Sequence, residues 1–147
     1  MNRRSSRLKK IVALAEAEER HLAVLTGRAQ SKLTQMQDKL GELAAYRQSY
    51  LGKSLSRNDC HAAHWQDYQN FLLRLDEALR AQQQVVNDCQ QVLDTHRRRW
   101  ARKRQRVESL ERVQERYARE ERRRSDRIEQ RRQDDRPVNP ERYDDSS

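Results

Sequence analysis

Apolar residues recur every three or four positions along most of this 147-residue chain. In the second half the rhythm hardly misses: Trp65, Tyr68, Leu72, Leu75, Leu79, Gln82, Val86, Cys89, Leu93, His96, Trp100, Lys103, Val107, Leu110, Gln114 and Tyr117. Alternating steps of three and four form the a/d seam of a heptad repeat, which predicts a long helix supercoiled left-handedly with a partner helix. The first segment carries the same rhythm through Leu8, Ile11, Ala15, Glu18, Leu22, Leu25 and Ala29, then advances by four to Leu33, Met36, Leu40 and Leu43. The additional step of four reads as a stutter, which locally unwinds a coiled coil without breaking it. Gly27 and Gly41 fall inside this segment. Each costs about 1 kcal/mol relative to Ala in a helix interior, so the first helix is expected to be the softer one.

Breakers set the boundaries. Residues 53 to 136 contain neither Gly nor Pro, so nothing there obliges a helix to stop. Between the two periodic segments lies "LGKSLSRNDCHAA". Gly52 suits a helix C-cap, Ser56 with Asp59 resembles a capping box, and Asn58 and Asp59 are themselves good caps. A short connection between long helices makes them antiparallel neighbours. The expected fold is therefore all-α, two long helices forming an antiparallel coiled-coil hairpin. Helix 1 is expected at about 3–52, the turn at about 53–58 and helix 2 at about 59–135, with 137–147 a disordered tail. At about 1.5 Å of rise per residue helix 1 reaches roughly 70 Å and helix 2 roughly 110 Å. On this reckoning residue 8 lands near residue 106, and helix 2 overhangs helix 1 from about Arg112 onward.

Composition agrees with helices that pair rather than with an ordinary globular core: 34% of residues are apolar and 37% charged, with a net charge of +9. Residues 97 to 136 hold 17 Arg/Lys against nine Asp/Glu, nearly all of that net charge. The longest apolar run, "IVALA" at 11–15, is far short of the roughly 20 residues a membrane span needs. "NRRSS" holds a twin arginine, but no hydrophobic region follows before Glu16, so an export signal is rejected and the chain reads as cytoplasmic. Cys60 and Cys89 fit that compartment. On one continuous helix they stand roughly 40 Å apart, beyond the about 7 Å that a disulfide spans.

No catalytic constellation survives inspection. A nucleophile with its base needs an orienting group and a pocket that excludes water, which a two-helix hairpin does not offer. "CHAAH", with Cys60, His61 and His64, is the best metal candidate, but it lacks a fourth ligand and a second shell. No metal and no cofactor is therefore expected. His96 at a heptad position reads as a core residue or a local specificity device. The basic stretch "HRRRWARKRQR", 96–106, has three readings: a solvated helix whose Glu and Arg pair at i,i+4, a basic tip entering an acidic protein socket, or a phosphate-binding surface.

The segment "HWQDYQNFLLRL", 64–75, is different because it has too many apolar faces. Beside the seam, Phe71, Leu75, Ala78, Gln82 and Val85 form a second stripe, with Leu43, Tyr46 and Tyr50 as companions on helix 1. Two helices cannot bury both stripes, so a few hundred Å² of aromatic and aliphatic surface is expected near the turn, the size that marks a partner site. Trp65, Tyr68 and Leu72 are expected on the seam, Phe71 facing away and Leu75 bridging both.

These residues carry a family signature. "LAAYRQSYL", a short polar turn, "WQDYQNFLLRLDEAL" and a long Gln- and Arg-rich helix ending near "RIEQRRQDDR" together resemble the FliJ family of bacterial flagellar type III export. The likeness spans residues 8 to about 135, and its most specific part is the Tyr-x3-Tyr followed by Trp-x2-Tyr-x2-Phe-x3-Leu-x2-Ala. The resemblance implies a non-enzymatic stalk, similar to the central stalk of rotary ATPases. Such a stalk seats its termini-bearing end in the hexameric export ATPase, binds the cytoplasmic domain of the export-gate membrane protein and escorts export chaperones. It implies residence in the cytoplasm at the inner-membrane face of the flagellar base. It would assign gate binding to Leu43, Tyr46, Tyr50, Phe71, Leu75 and Ala78, and the ring end to the basic overhang with Arg116, Arg119, Arg123 and Arg127. Lys39 and Gln82 depart from the family's pattern, where Gln and His occur, which puts those edges of the patch in question. The alternatives that share these features are the similar stalk of a virulence injectisome and a basic coiled-coil nucleic-acid binder. A plain structural coiled coil that dimerises through the patch is a further one.

Overall fold

A computed structural model of the chain describes residues 3–55 and 62–135. It contains two helices, α1 (Arg3–Leu55) and α2 (Ala62–Asp134). They pack against each other antiparallel, as the pairs Arg47 with Asp76, Met36 with Gln82 and Glu19 with Trp100 establish. Contacts group the residues into two parcels along the helices, 17–105 and 1–16 with 106–147.

Each helix buries one stripe. On α1 one row of buried and half-buried positions, Ser5, Leu8, Val12, Ala15, Glu19, Leu22, Thr26, Ala29, Leu33, Met36, Leu40, Leu43, Arg47 and Tyr50, alternates strictly by three and four, with Glu16, Ala23, Leu25 and Leu51 half-buried on its flanks. This corrects the expected seam. Ile11 is 48% exposed where Val12 is 4%, and Thr26 rather than Leu25 is buried. With Thr26 in place the heptads run without interruption, and the stutter disappears. The more apolar neighbours drew the pattern one residue aside, and the hydroxyl of Thr26 concealed the true position. That hydroxyl is satisfied within the helix, donating to the carbonyl of Leu22 at 2.8 Å, so its burial leaves no orphan polar group.

In the 17–105 parcel the core is Leu33, Met36, Val86 and Leu93, with Ala29, Leu40 and Cys89 packed against it. Polar residues on the seam find partners across it. The Gln82 amide donates to the Met36 carbonyl at 3.0 Å, and the Trp100 indole donates to Glu19 Oε1 at 2.7 Å. Lys103 donates to Glu18 and Arg97 to Gln30. His96 is the exception: it is half-buried, and its Nδ1 is shielded with no hydrogen-bond partner. Gln83–Asn87, Gln84–Asp88 and Gln90–Asp94 bond at i,i+4 along α2. In the other parcel Val12, Ala15 and Val107 are buried.

The end of helix 1 also moves. Gly52 lies inside α1 and does not take the left-handed conformation a glycine C-cap requires, and the helix persists to Leu55. The proposed capping box, Ser56 to Asp59, falls outside the described residues, as does the tail beyond Asp135. Ser5 of α1 donates to Glu121 of α2. Pairing therefore extends past Arg112, and the overhang begins after Glu121. Residues 122–135 hold six Arg against four Asp/Glu, whereas 97–106 hold seven Arg/Lys and no acid. The densest positive charge sits on the paired part of α2, not on the overhang.

Two measurements check this register. Val12→Asp should lower hairpin stability in urea unfolding by about 3 kcal/mol or more, because an unpaired carboxylate enters the seam. Ile11→Asp should change it by no more than about 0.5 kcal/mol, as surface substitutions do. Equal effects would restore the slipped seam. Gly27 and Gly41 have open space where a Cβ would stand, so Gly41→Ala should add about 1 kcal/mol.

Candidate partner-binding surfaces

Near the reversal the seam turns aromatic. Tyr50 stands between Phe71, with ring centroids 4.5 Å apart, and Tyr68, stacked on it at 5.3 Å. Tyr46 meets Phe71 edge-on at 6.3 Å, and Trp65 leans on Tyr68 at 5.8 Å. These offset and edge-on arrangements suit ring quadrupoles and add to plain burial. Beside the cluster Arg47 Nε bonds Asp76 Oδ1 at 2.7 Å. Both groups are about one-third exposed, so the pair contributes position more than stability.

Two expectations for this segment change. Phe71 does not face away from α1; it is half-buried between Tyr46 and Tyr50. Trp65, expected on the seam, is 60% exposed and touches α2's own Tyr68. Periodicity gives the angle of a residue on its own helix, and where the seam ends the partner's side chains decide which flank is covered. Of the six residues assigned to gate binding, Leu75 is 7% exposed and belongs to the seam, while Leu43, Tyr50, Phe71 and Ala78 are half-buried. Tyr46 alone of the six is open, at 53%. Leu73, 60% exposed in the same turns of α2, escaped the sequence reading because it falls on neither stripe.

The four arginines assigned to the ring end are all exposed. Arg116 and Arg119 precede the Ser5–Glu121 contact, and Arg123 and Arg127 follow it. Arg119 pairs with Glu115 at 3.7 Å, as Arg112 does with Glu108 at 3.9 Å. These are the i,i+4 pairs expected of a solvated helix, and each contributes only a few tenths of a kcal/mol. Trp100, within the basic stretch, turns its N–H to Glu19 and carries Arg104 over its ring at 5.3 Å. Of the metal candidates, Cys60 and His61 lie outside the described residues and His64 is exposed. Among the described residues no three His, Cys, Asp or Glu side chains converge to hold a metal ion.

A half-exposed aromatic cluster at the closed end of an antiparallel pair is the feature on which the family likeness rests, and a family model decides the matter: that of the flagellar FliJ protein matches residues 4–137. The chain belongs to the FliJ family. FliJ proteins are non-enzymatic components of flagellar export, so the role of this chain is in flagellum assembly and motility. No curated protein matches the chain in direct comparison. Among the described residues no helix is long and apolar enough to cross a membrane.

The packing of the cluster can be tested separately from binding. Phe71→Ala should cost about 2 kcal/mol in urea unfolding, below the roughly 3–5 kcal/mol of a fully buried Phe because the ring is only half-covered. Trp65→Ala should cost about 0.5 kcal/mol. If the two substitutions are equally mild, the rings do not hold the helices together here.

Proposed function

We propose that this chain is a stalk and adaptor of the flagellar export apparatus, linking the export ATPase ring to the cytoplasmic domain of the membrane export gate and escorting export chaperones. The observation that carries the reading is Tyr46: a large aromatic ring 53% exposed above packed Phe71 and Tyr50, in a chain that is 37% charged. Exposed aromatic anchors backed by a rigid cluster are what binding hot spots are made of. Its neighbours Leu43, Tyr50, Phe71 and Ala78 supply the surrounding apolar surface, and Leu75 supports it from beneath. The ATPase contact is assigned to the other end, through Arg116, Arg119, Arg123 and Arg127, with the protein held peripherally at the inner membrane by its partners.

Tyr46→Ala should weaken binding to the gate's cytoplasmic domain about tenfold, or roughly 1.4 kcal/mol, and reduce swimming motility, with the helical circular-dichroism signal unchanged. Undiminished gate binding would remove the patch from the reading. For the ring end, Arg123→Glu with Arg127→Glu should lower ATPase co-purification while gate binding persists. Co-purification at the parental level would count against that assignment.

A further inference from the structure

Both flanks of an antiparallel pair carry a groove, and one of them here is apolar and cationic at once. Beside the core cluster lies an open groove of ≈ 400 Å³ whose half-buried lining is Leu25, Ala29, Cys89 and His96, with Val92 on its wall at 51% exposure. Arg28 and Lys32 stand exposed along the α1 lip, one helical turn apart. No ion pair among the described residues engages either of them. On the α2 lip the single acid, Asp88, already accepts a hydrogen bond from the Gln84 amide at 3.0 Å. Val85, 38% exposed, and Arg99 lie seven residues either side of Val92 and continue its row along the same side of α2. The surface is therefore a strip of small and branched apolar side chains bordered by three cations, Arg28, Lys32 and Arg99, against the one acid Asp88, which leaves an excess of positive charge.

We propose that this groove docks an amphipathic helix of a partner protein whose apolar ridge is flanked by Asp or Glu. The ridge would follow the i, i+3/i+4, i+7 spacing of helix-in-groove recognition, laying two or three Leu or Val side chains over Ala29, Cys89 and Val92. Ala29 and Cys89 are small enough to let a third backbone approach. The acids would meet Arg28 and Lys32 from one side and Arg99 from the other. Charge sets the orientation and excludes basic helices, because like charges at the lips oppose them. A second copy of this chain fits poorly, since its helices bring the same excess of arginine. The site lies mid-length and shares no residue with the aromatic cluster or with Arg116, Arg119, Arg123 and Arg127, so it stands whether or not those assignments hold.

The test uses the full chain and a fluorescein-labelled helical peptide of about 18 residues, Leu on one ridge and Glu on both flanks, read by fluorescence anisotropy. The acidic peptide should bind, and the same peptide with every Glu replaced by Lys should not. Val92→Asp should lower affinity about tenfold, as should Arg28→Glu with Lys32→Glu. Circular dichroism should show unchanged helicity, all three side chains being exposed. Arg127→Glu, distant along α2, should leave affinity within about twofold. Absence of binding overturns the proposal, and so does an equal loss on Arg127→Glu, which would mean non-specific attraction to a cationic chain. A dimer in sedimentation that Val92→Asp dissociates would give the groove to a second copy and overturn it too.

Discussion

Everything in this structure follows from having one interface. A pair of helices buries one stripe on each, and a residue that misses the stripe is left to solvent or to a partner. The stripe on α1 keeps strict heptad spacing from Ser5 to Tyr50, and it keeps it at the expense of hydrophobicity, admitting Glu19, Thr26 and Arg47. Those polar groups are tolerated because each is answered: Thr26 by its own helix, Glu19 by the Trp100 indole, Arg47 by Asp76. A buried polar group without such an answer costs about 1–3 kcal/mol. His96 Nδ1 is in that position, in the lining of the groove beside Cys89 and Val92. Geometry outranks side-chain polarity here, since breaking the heptad would rotate every later residue off the seam.

The same constraint explains why so much apolar surface is exposed. Ile11, Leu14, Val24, Leu73 and Val92 are each about half open or more, and among the described residues no third layer covers them. Scattered singly, such residues are ordinary. Two places concentrate them differently. At the aromatic cluster they rest on packed rings and present a rigid face, whereas in the groove beside Ala29 and Cys89 they line a depression between cationic lips. A protein whose role is in export, among other proteins, gains from surfaces that differ in shape as well as in charge, because specificity is a difference of affinities.

How much of this was legible in the sequence depended on whether the seam carried the most apolar residue in each turn. On α2 it mostly did: Leu75, Leu79, Val86 and Leu93 lie on the covered face, and the periodicity read there coincides with the burial from Tyr68 to Gln114, failing only at its ends, Trp65 and Tyr117. On α1 Ile11 outranks Val12 and Leu25 outranks Thr26, so the pattern slid by one residue and manufactured a stutter. The end of helix 1 was misjudged for a related reason. Gly52 is a good C-cap by type, but three further helical residues follow it, and propensity at a single position yields to the pairing of the long elements. The identity of the aromatic cluster was readable from spacing, but its packing was not. Whether Phe71 turns toward or away from α1 depends on where Tyr46 and Tyr50 stand, which no single-helix wheel contains. The groove was invisible because it is lined by residues that the slipped register had assigned to the seam, Leu25 above all.

Pairing that extends to Glu121 also changes what kind of contact the C-terminal part of α2 can make. The stretch 97–106 is the strong cationic field, with seven Arg/Lys and no acid of its own. Part of it is spoken for, since α1 sets Glu18 against Lys103 and Glu19 against Trp100. The overhang after Glu121 interleaves its charges and comes close to balance, six Arg against four Asp/Glu. Without a partner strip of α1, its helix depends on propensity and weak i,i+4 pairs, which stabilise an isolated helix only marginally. A near-balanced helix of this kind exerts little long-range pull, because fields of both signs cancel beyond a Debye length of about 8 Å at physiological salt. Its binding to any socket is then governed by short-range fit of individual arginines such as Arg123 and Arg127, and by the ordering that the socket imposes. The paired stretch behind it is the part that attracts an acidic surface from a distance. If the proposed seating of the overhang holds, attraction and seating fall to different segments of α2, and salt would slow the first far more than it loosens the second.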